Sequence, residues 1–172
     1  MHVPIWIVGP VTLVTVLAVL TDVRTRRIPN LLTGSALVLG LAAHLTMRGV
    51  PGLSDAALGT AAAAGVMLPG WLLGWKGGGD VKLMAAVGAW LGLAQGLAAA
   101  LAALMAGGLI ALVIAARRGV LRRSLAGAAW LGAWALSGAR RGTSSPPVSG
   151  VRFPFALAVL IGAWAAFWVP LR

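Results

Sequence analysis

This chain contains no cysteine and no glutamate, and only three acidic residues, Asp22, Asp55 and Asp80, in 172 positions. The missing cysteine excludes disulfides, a thiol nucleophile and cysteine-ligated zinc. The two histidines, His2 and His44, lie far apart and lack ligand spacing, so a histidine metal site is not expected. Charge of either sign is scarce: 10% of residues are charged and 60% are hydrophobic. A soluble domain is normally about half apolar and a quarter charged. The mean hydropathy of +0.95 and the recurring apolar runs near twenty residues predict an all-α, polytopic integral membrane protein. It is read as a single membrane-embedded domain over 1–172, in which the helix bundle itself carries the function.

The net charge of +11 does not point to nucleic acid. The basic residues stand in small groups between apolar spans, where Lys and Arg mark cytoplasmic loops. No Lys or Arg precedes the first apolar run and no small-residue cleavage site follows it. The N-terminus therefore reads as a retained span rather than a signal peptide.

Six spans are expected, at about 3–20, 31–47, 56–75, two within 81–116, and 153–169. Pro29 suits the start of the second, and Pro51-Gly52 marks a turn before the third. The stretch 81–116 would be roughly 54 Å long as one helix, against a hydrocarbon core of ~30 Å. A break near Gly92-Leu93-Ala94-Gln95-Gly96 resolves this. It leaves a first piece of only ~20 Å, so partial burial of Asp80 is expected. The segment 117–152 reads as a cytoplasmic connection. Within it, 124–137 is too short for an easy crossing and is expected to lie at the membrane interface, followed by a Ser/Pro/Gly linker over 140–150.

With the N-terminus outside, this topology puts twelve of the fourteen basic residues inside, leaving only Arg48 and Arg172 outside. Without the break, most basic residues of the second half would lie outside. Asp22 and Asp80 then share the cytoplasmic face, and Asp55 lies on the other side.

An acid at the mouth of an apolar span is costly enough to suggest function. Two facing carboxyls can share one proton, because close like charges do not both ionise cheaply. The ionised member takes a proton from water while the protonated member supports an oxyanion. Such a pair titrates as a unit. Gly77, Gly78 and Gly79 lack side chains, so a substrate backbone could approach closely there, and the loop can take positive φ. Blander readings stand beside these. Asp80 could cap a helix, Asp22 could neutralise Arg24, Arg26 and Arg27, and the glycines could form a turn. Asp55 reads as an N-cap or loop charge without chemistry. Trp and Met residues read as packing and interface anchors.

Asp22-Val23-Arg24 with Arg27-Ile28-Pro29-Asn30, and later Gly77-Gly78-Gly79-Asp80-Val81-Lys82-Leu83, resemble the type IV prepilin peptidases, a group of GxGD-type membrane aspartyl proteases. Gly88-Ala89-Trp90-Leu91-Gly92 and, more loosely, Pro154-Phe155 extend the resemblance. It implies an aspartic endopeptidase that removes leader peptides from pilin-like precursors at the cytoplasmic face of the plasma membrane, with Asp22 and Asp80 as the catalytic pair. Membrane lipid and precursor protein are the expected partners, and no cofactor or metal is required. Longer members carry a cysteine-paired cytoplasmic domain and also methylate the new N-terminus. This chain resembles the short peptidase-only form of tight-adherence (Flp) systems, so no N-methyltransferase activity is expected. The alternatives are a small proton- or cation-coupled transporter using the same aspartates, and a non-catalytic assembly protein. A transporter should carry polar residues at mid-membrane depth, and these spans are built of Ala, Leu, Val and Gly.

Overall fold

Alanine and leucine dominate a chain in which every long apolar stretch has helix-forming composition, and in the computed structural model all regular secondary structure among the described residues is helical. These are residues 3–72, 77–122, 126–127, 129 and 154–169. The expected interfacial helix and linker fall almost wholly outside them. Four helices are described: α1 (Ile5–Thr25), α2 (Asn30–Leu72), α3 (Gly78–Arg117) and α4 (Ala156–Phe167). The first three are long and apolar enough to cross a membrane.

The chain forms two compact units, Met1–Gly107 with Pro154–Arg172, and Gly108–Phe153. In the second, α3 ends in a Schellman motif: Gly119 has φ 68, and the Val120 N–H donates to the Ala115 carbonyl at 3.0 Å. The candidate site lies in the first unit.

Helix α1 buries Ile7, Val11, Thr15 and Ala18, a one-sided stripe. It continues to Thr25, five residues beyond the expected end of the first span. The Thr21 and Thr25 hydroxyls bond back to the carbonyls of Leu17 and Thr21 at 3.0 and 2.8 Å, so these polar residues extend the helix rather than end it. Termination falls on Arg26, whose φ of 53 is left-handed and whose N–H donates to the Asp22 carbonyl at 2.9 Å.

Helices α2 and α3 each break at a glycine. Gly49 (φ 66, ψ -156) divides α2, so the expected loop over 48–54 contracts to one residue. Pro51 sits in the first turn of the second segment, where its missing N–H is harmless. Gly92 (φ 75, ψ -174) divides α3 within the stretch where a break was expected. Only glycine adopts this conformation cheaply. The first segment of α3 is about 20 Å long. Within it, Leu83 to Gly92 are buried without interruption.

Small residues set the close packing. A Cβ on Gly59 or Gly88 would collide with the other's backbone, so the second segment of α2 meets the first segment of α3 almost backbone to backbone. Helix α4 is shorter than the expected 153–169, and it buries Ala156, Ala158, Val159, Gly162, Ala163 and Ala166. Gly162 lies against Ala99 and Ala103 of α3.

Candidate active site

The site assembles where α1 ends, α2 begins and α3 begins. Asp22 stands in the last turn of α1 and is half-buried. Its Oδ2 accepts a hydrogen bond from the backbone N–H of Ala156, the first residue of α4, at 3.4 Å. The free amide groups of a helix N-terminus make a favourable setting for a carboxylate. Asp80, also half-buried, lies in the first turn of α3, with its own N–H donating to the Gly77 carbonyl at 3.1 Å. Each of these two acids is therefore placed at the start of a helix, α4 for Asp22 and α3 for Asp80.

Two contacts join the motifs. A Cβ built on Gly79 would stand 3.3 Å from the Cβ of Ile28, so the start of α3 packs against the α1–α2 connection. The Lys82 ammonium donates to the Asn30 Oδ1 at 2.9 Å. Residues 52 positions apart are thereby fastened together, eight residues from Asp22 on one side and two residues from Asp80 on the other. Arg24, Arg26, Arg27 and Lys82 are exposed around this junction, giving its rim a positive field.

The glycines are placed differently from the expected loop. Only Gly77 precedes the helix; Gly78 and Gly79 already belong to the first turn of α3. Positive φ occurs among the described glycines at Gly49, Gly92 and Gly119, not at 77–79. Their missing side chains serve close approach instead. A Cβ on Gly78 would lie 3.4 Å from the Trp71 indole Nε1, and Gly79 is fitted to Ile28. Gly77 remains exposed.

Four polar contacts around the Gly92 break were not foreseen. His44, fully buried, has its Nε2 2.9 Å from the Trp90 carbonyl. The Trp90 Nε1–H donates to the Ala36 carbonyl at 2.8 Å. Asp55 accepts from the Leu93 N–H at 3.0 Å and stands 3.8 Å from Arg48. Asp55 was expected to cap its own span or to sit as a loop charge; it caps the second segment of α3 from across the bundle. The available signal was a lone histidine inside an apolar span, because a buried polar group needs a partner. Among the described residues no group of three or more His, Cys, Asp or Glu stands together to hold a metal ion.

The class is thus an all-helical protein with membrane-length apolar helices and a junction carrying two aspartate motifs. The chain belongs to the type IV leader peptidase family, whose model matches residues 10–112. A protein described as prepilin leader peptidase/N-methyltransferase, from Pectobacterium carotovorum subsp. carotovorum, is 41% identical over 96 residues, which cover 49% of this chain and 33% of that protein. The chain thus spans about a third of the length of that relative. No solved structure matches.

Proposed function

We propose that this chain is an aspartic endopeptidase that cleaves the leader from pilin-like precursors, with Asp22 and Asp80 as its catalytic pair. The observation that carries this reading is the meeting of the two motifs through Ile28–Gly79 and Asn30–Lys82, inside the segment matched by the leader peptidase family. The transporter alternative finds no support in these matches.

In the proposed reaction the ionised carboxylate of the pair takes a proton from water as the water oxygen attacks the scissile carbonyl carbon. The protonated carboxyl donates a hydrogen bond to the oxygen that becomes negative. Collapse of the tetrahedral intermediate breaks the C–N bond, and the leaving amine takes up a proton from the acid. The substrate backbone is proposed to lie along Gly77, Gly78 and Gly79, with Gly77 the freest to receive it.

Six spans with the N-terminus outside form the proposed topology, placing the site at the cytoplasmic face of the plasma membrane. The breaks at Gly49 and Gly92 support it, since they divide α2 and α3 where the second and fourth spans should end. The charge bias supports it independently. The relative's name pairs a peptidase with a methyltransferase. The reading here takes the peptidase alone, and transfer of a labelled methyl group to mature pilin by the purified protein would overturn that.

The decisive experiment mixes the purified protein with a precursor from the same cell and follows leader removal on a gel. Asp22→Asn and Asp80→Asn should each abolish cleavage in protein that still folds and inserts. Full activity in either variant would rule out the pair.

A further inference from the structure

The break at Gly92 has chemical consequences for the backbone around it. Interrupting an α-helix strands carbonyls in the turn before the break and N–H groups in the turn after it. Where such groups are buried they are expensive to leave unpaired; the Trp90 carbonyl is met by a buried bond and the Leu93 N–H by an exposed one. Here one acceptor and one donor flanking Gly92 are taken up by side chains of α2. His44, from the segment before the Gly49 break, serves the Trp90 carbonyl at 2.9 Å. Asp55, from the segment after it, serves the Leu93 N–H at 3.0 Å. The two breaks therefore face each other and are cross-linked by hydrogen bonds.

His44 is not explained by packing alone. A carbonyl partner requires that Nε2 carry the proton, which leaves Nδ1 as an acceptor. Nδ1 is buried without a hydrogen-bond partner among the described residues. A phenylalanine would pack against Trp6, whose ring centroid lies 5.3 Å from that of His44, and would bring no unpaired ring nitrogen into the bundle. What it would lack is the donor to Trp90. That indole is itself tied down: it lies over Gly40, where a Cβ would come 3.0 Å from its Cδ1, and it donates to Ala36.

The segment held in this way carries Asp80 in its first turn. Between Asp80 and Trp90 runs a straight helix of about 15 Å, buried along most of its length. A rigid strut fixed at one end transmits a tilt at that end to the other. We propose that His44 and Asp55 are positioning residues, which pin the Gly92 break and thereby set where the first segment of α3 places Asp80. The proposal rests on the reading of Asp80 as half of the catalytic pair. Its chemistry is hydrogen-bond geometry, with no proton transfer by either residue.

The test uses two pairs of variants in the full chain. His44→Phe and Asp55→Ala remove the donor and the acceptor, whereas His44→Gln and Asp55→Asn keep them. Each is purified in detergent, and rates are normalised to folded protein by gel filtration and thermal unfolding. The removing variants should lose five- to fiftyfold in kcat with KM within twofold of wild type. The retaining variants should stay within threefold in kcat. Hydrogen exchange at the amides of residues 80–84 should quicken more than tenfold in the removing variants alone.

The double variant His44→Phe/Asp55→Ala should be no worse than the poorer single one by more than threefold, because both act on one break. If His44→Phe does not fold, Asp55→Ala, at a partly exposed position, carries the test. A kcat per folded molecule within twofold of wild type in the removing variants would overturn the proposal. So would unchanged exchange at 80–84. Asp22→Asn and Asp80→Asn, assayed alongside, separate the two readings. Activity in those variants ends the aspartate assignment, while the exchange measurement judges the positioning role without reference to activity.

Discussion

Lys82 and Asn30 are joined by a hydrogen bond of 2.9 Å between the ammonium and the side-chain carbonyl. It joins the two sequence motifs, two residues from Asp80. A bond with one charged partner contributes about 1.5–3 kcal/mol in favourable settings, and exposure of Lys82 reduces this. Lys82→Met should therefore lower kcat/KM by roughly three- to thirtyfold while leaving insertion intact, and Asn30→Ala should match it. The double variant should fall no further than the single ones, because both remove the same bond. Additive losses would show that the two residues act separately.

The contact of Gly79 with Ile28 makes a steric prediction. A Cβ at 3.3 Å from the Ile28 Cβ is a tight fit, so Gly79→Ala requires Ile28 to give by a few tenths of an ångström. Gly79→Val adds two further methyls to a filled space, and overpacking of this kind costs about 1–3 kcal/mol. Cleavage should fall tenfold or more in Gly79→Val, and Ile28→Ala should restore part of it. Failure of that rescue would show that the glycine is needed for something other than its fit to Ile28, such as contact with substrate.

Glycines elsewhere separate close approach from mere tolerance. Gly88 faces the Gly59 backbone and the Ala63 methyl with no space for a Cβ, whereas a Cβ on Gly65 would meet nothing within 4 Å. Gly88→Ala should destabilise the protein by about 2 kcal/mol or more through forced separation of α2 and α3. Gly65→Ala should be neutral or stabilise by about 0.5–1 kcal/mol, because alanine loses less conformational freedom in a helix. Thermal unfolding in detergent distinguishes them. A lower midpoint for Gly65→Ala than for Gly88→Ala would contradict the packing described here.

Much of this arrangement was legible in the sequence, and what was hidden follows a physical pattern. Length forced a break in 81–116, and glycine at 92 supplied it, because a helix of 36 residues overshoots the bilayer core. The two motifs announced themselves because acids are so rare in this chain. Local signals misjudged the end of α1, where Thr21 and Thr25 bond back onto the helix instead of ending it. They also suggested a flexible loop at 77–79, where a helix already begins. The partners of His44 and Asp55 were hidden because each bonds to backbone 38 or more residues away. No periodicity or spacing encodes such a partner.

The proposed shared-proton pair also fixes the form of the pH dependence. Catalysis needs one carboxyl ionised and one protonated, so loss of the first proton from the doubly protonated pair turns activity on. Loss of the second turns it off again. The kcat/KM profile should therefore be bell-shaped. Neither limb should depend on Asp55, because Asp55→Asn keeps the acceptor for the Leu93 N–H and removes only a charge engaged with Arg48. Its profile should keep both limbs where wild type has them. A limb that vanishes in Asp55→Asn would place the third acid in the chemistry. A flat plateau through neutral and alkaline pH would instead mean that a single ionised carboxylate suffices, and the pair would then have to be given up as the acid–base unit.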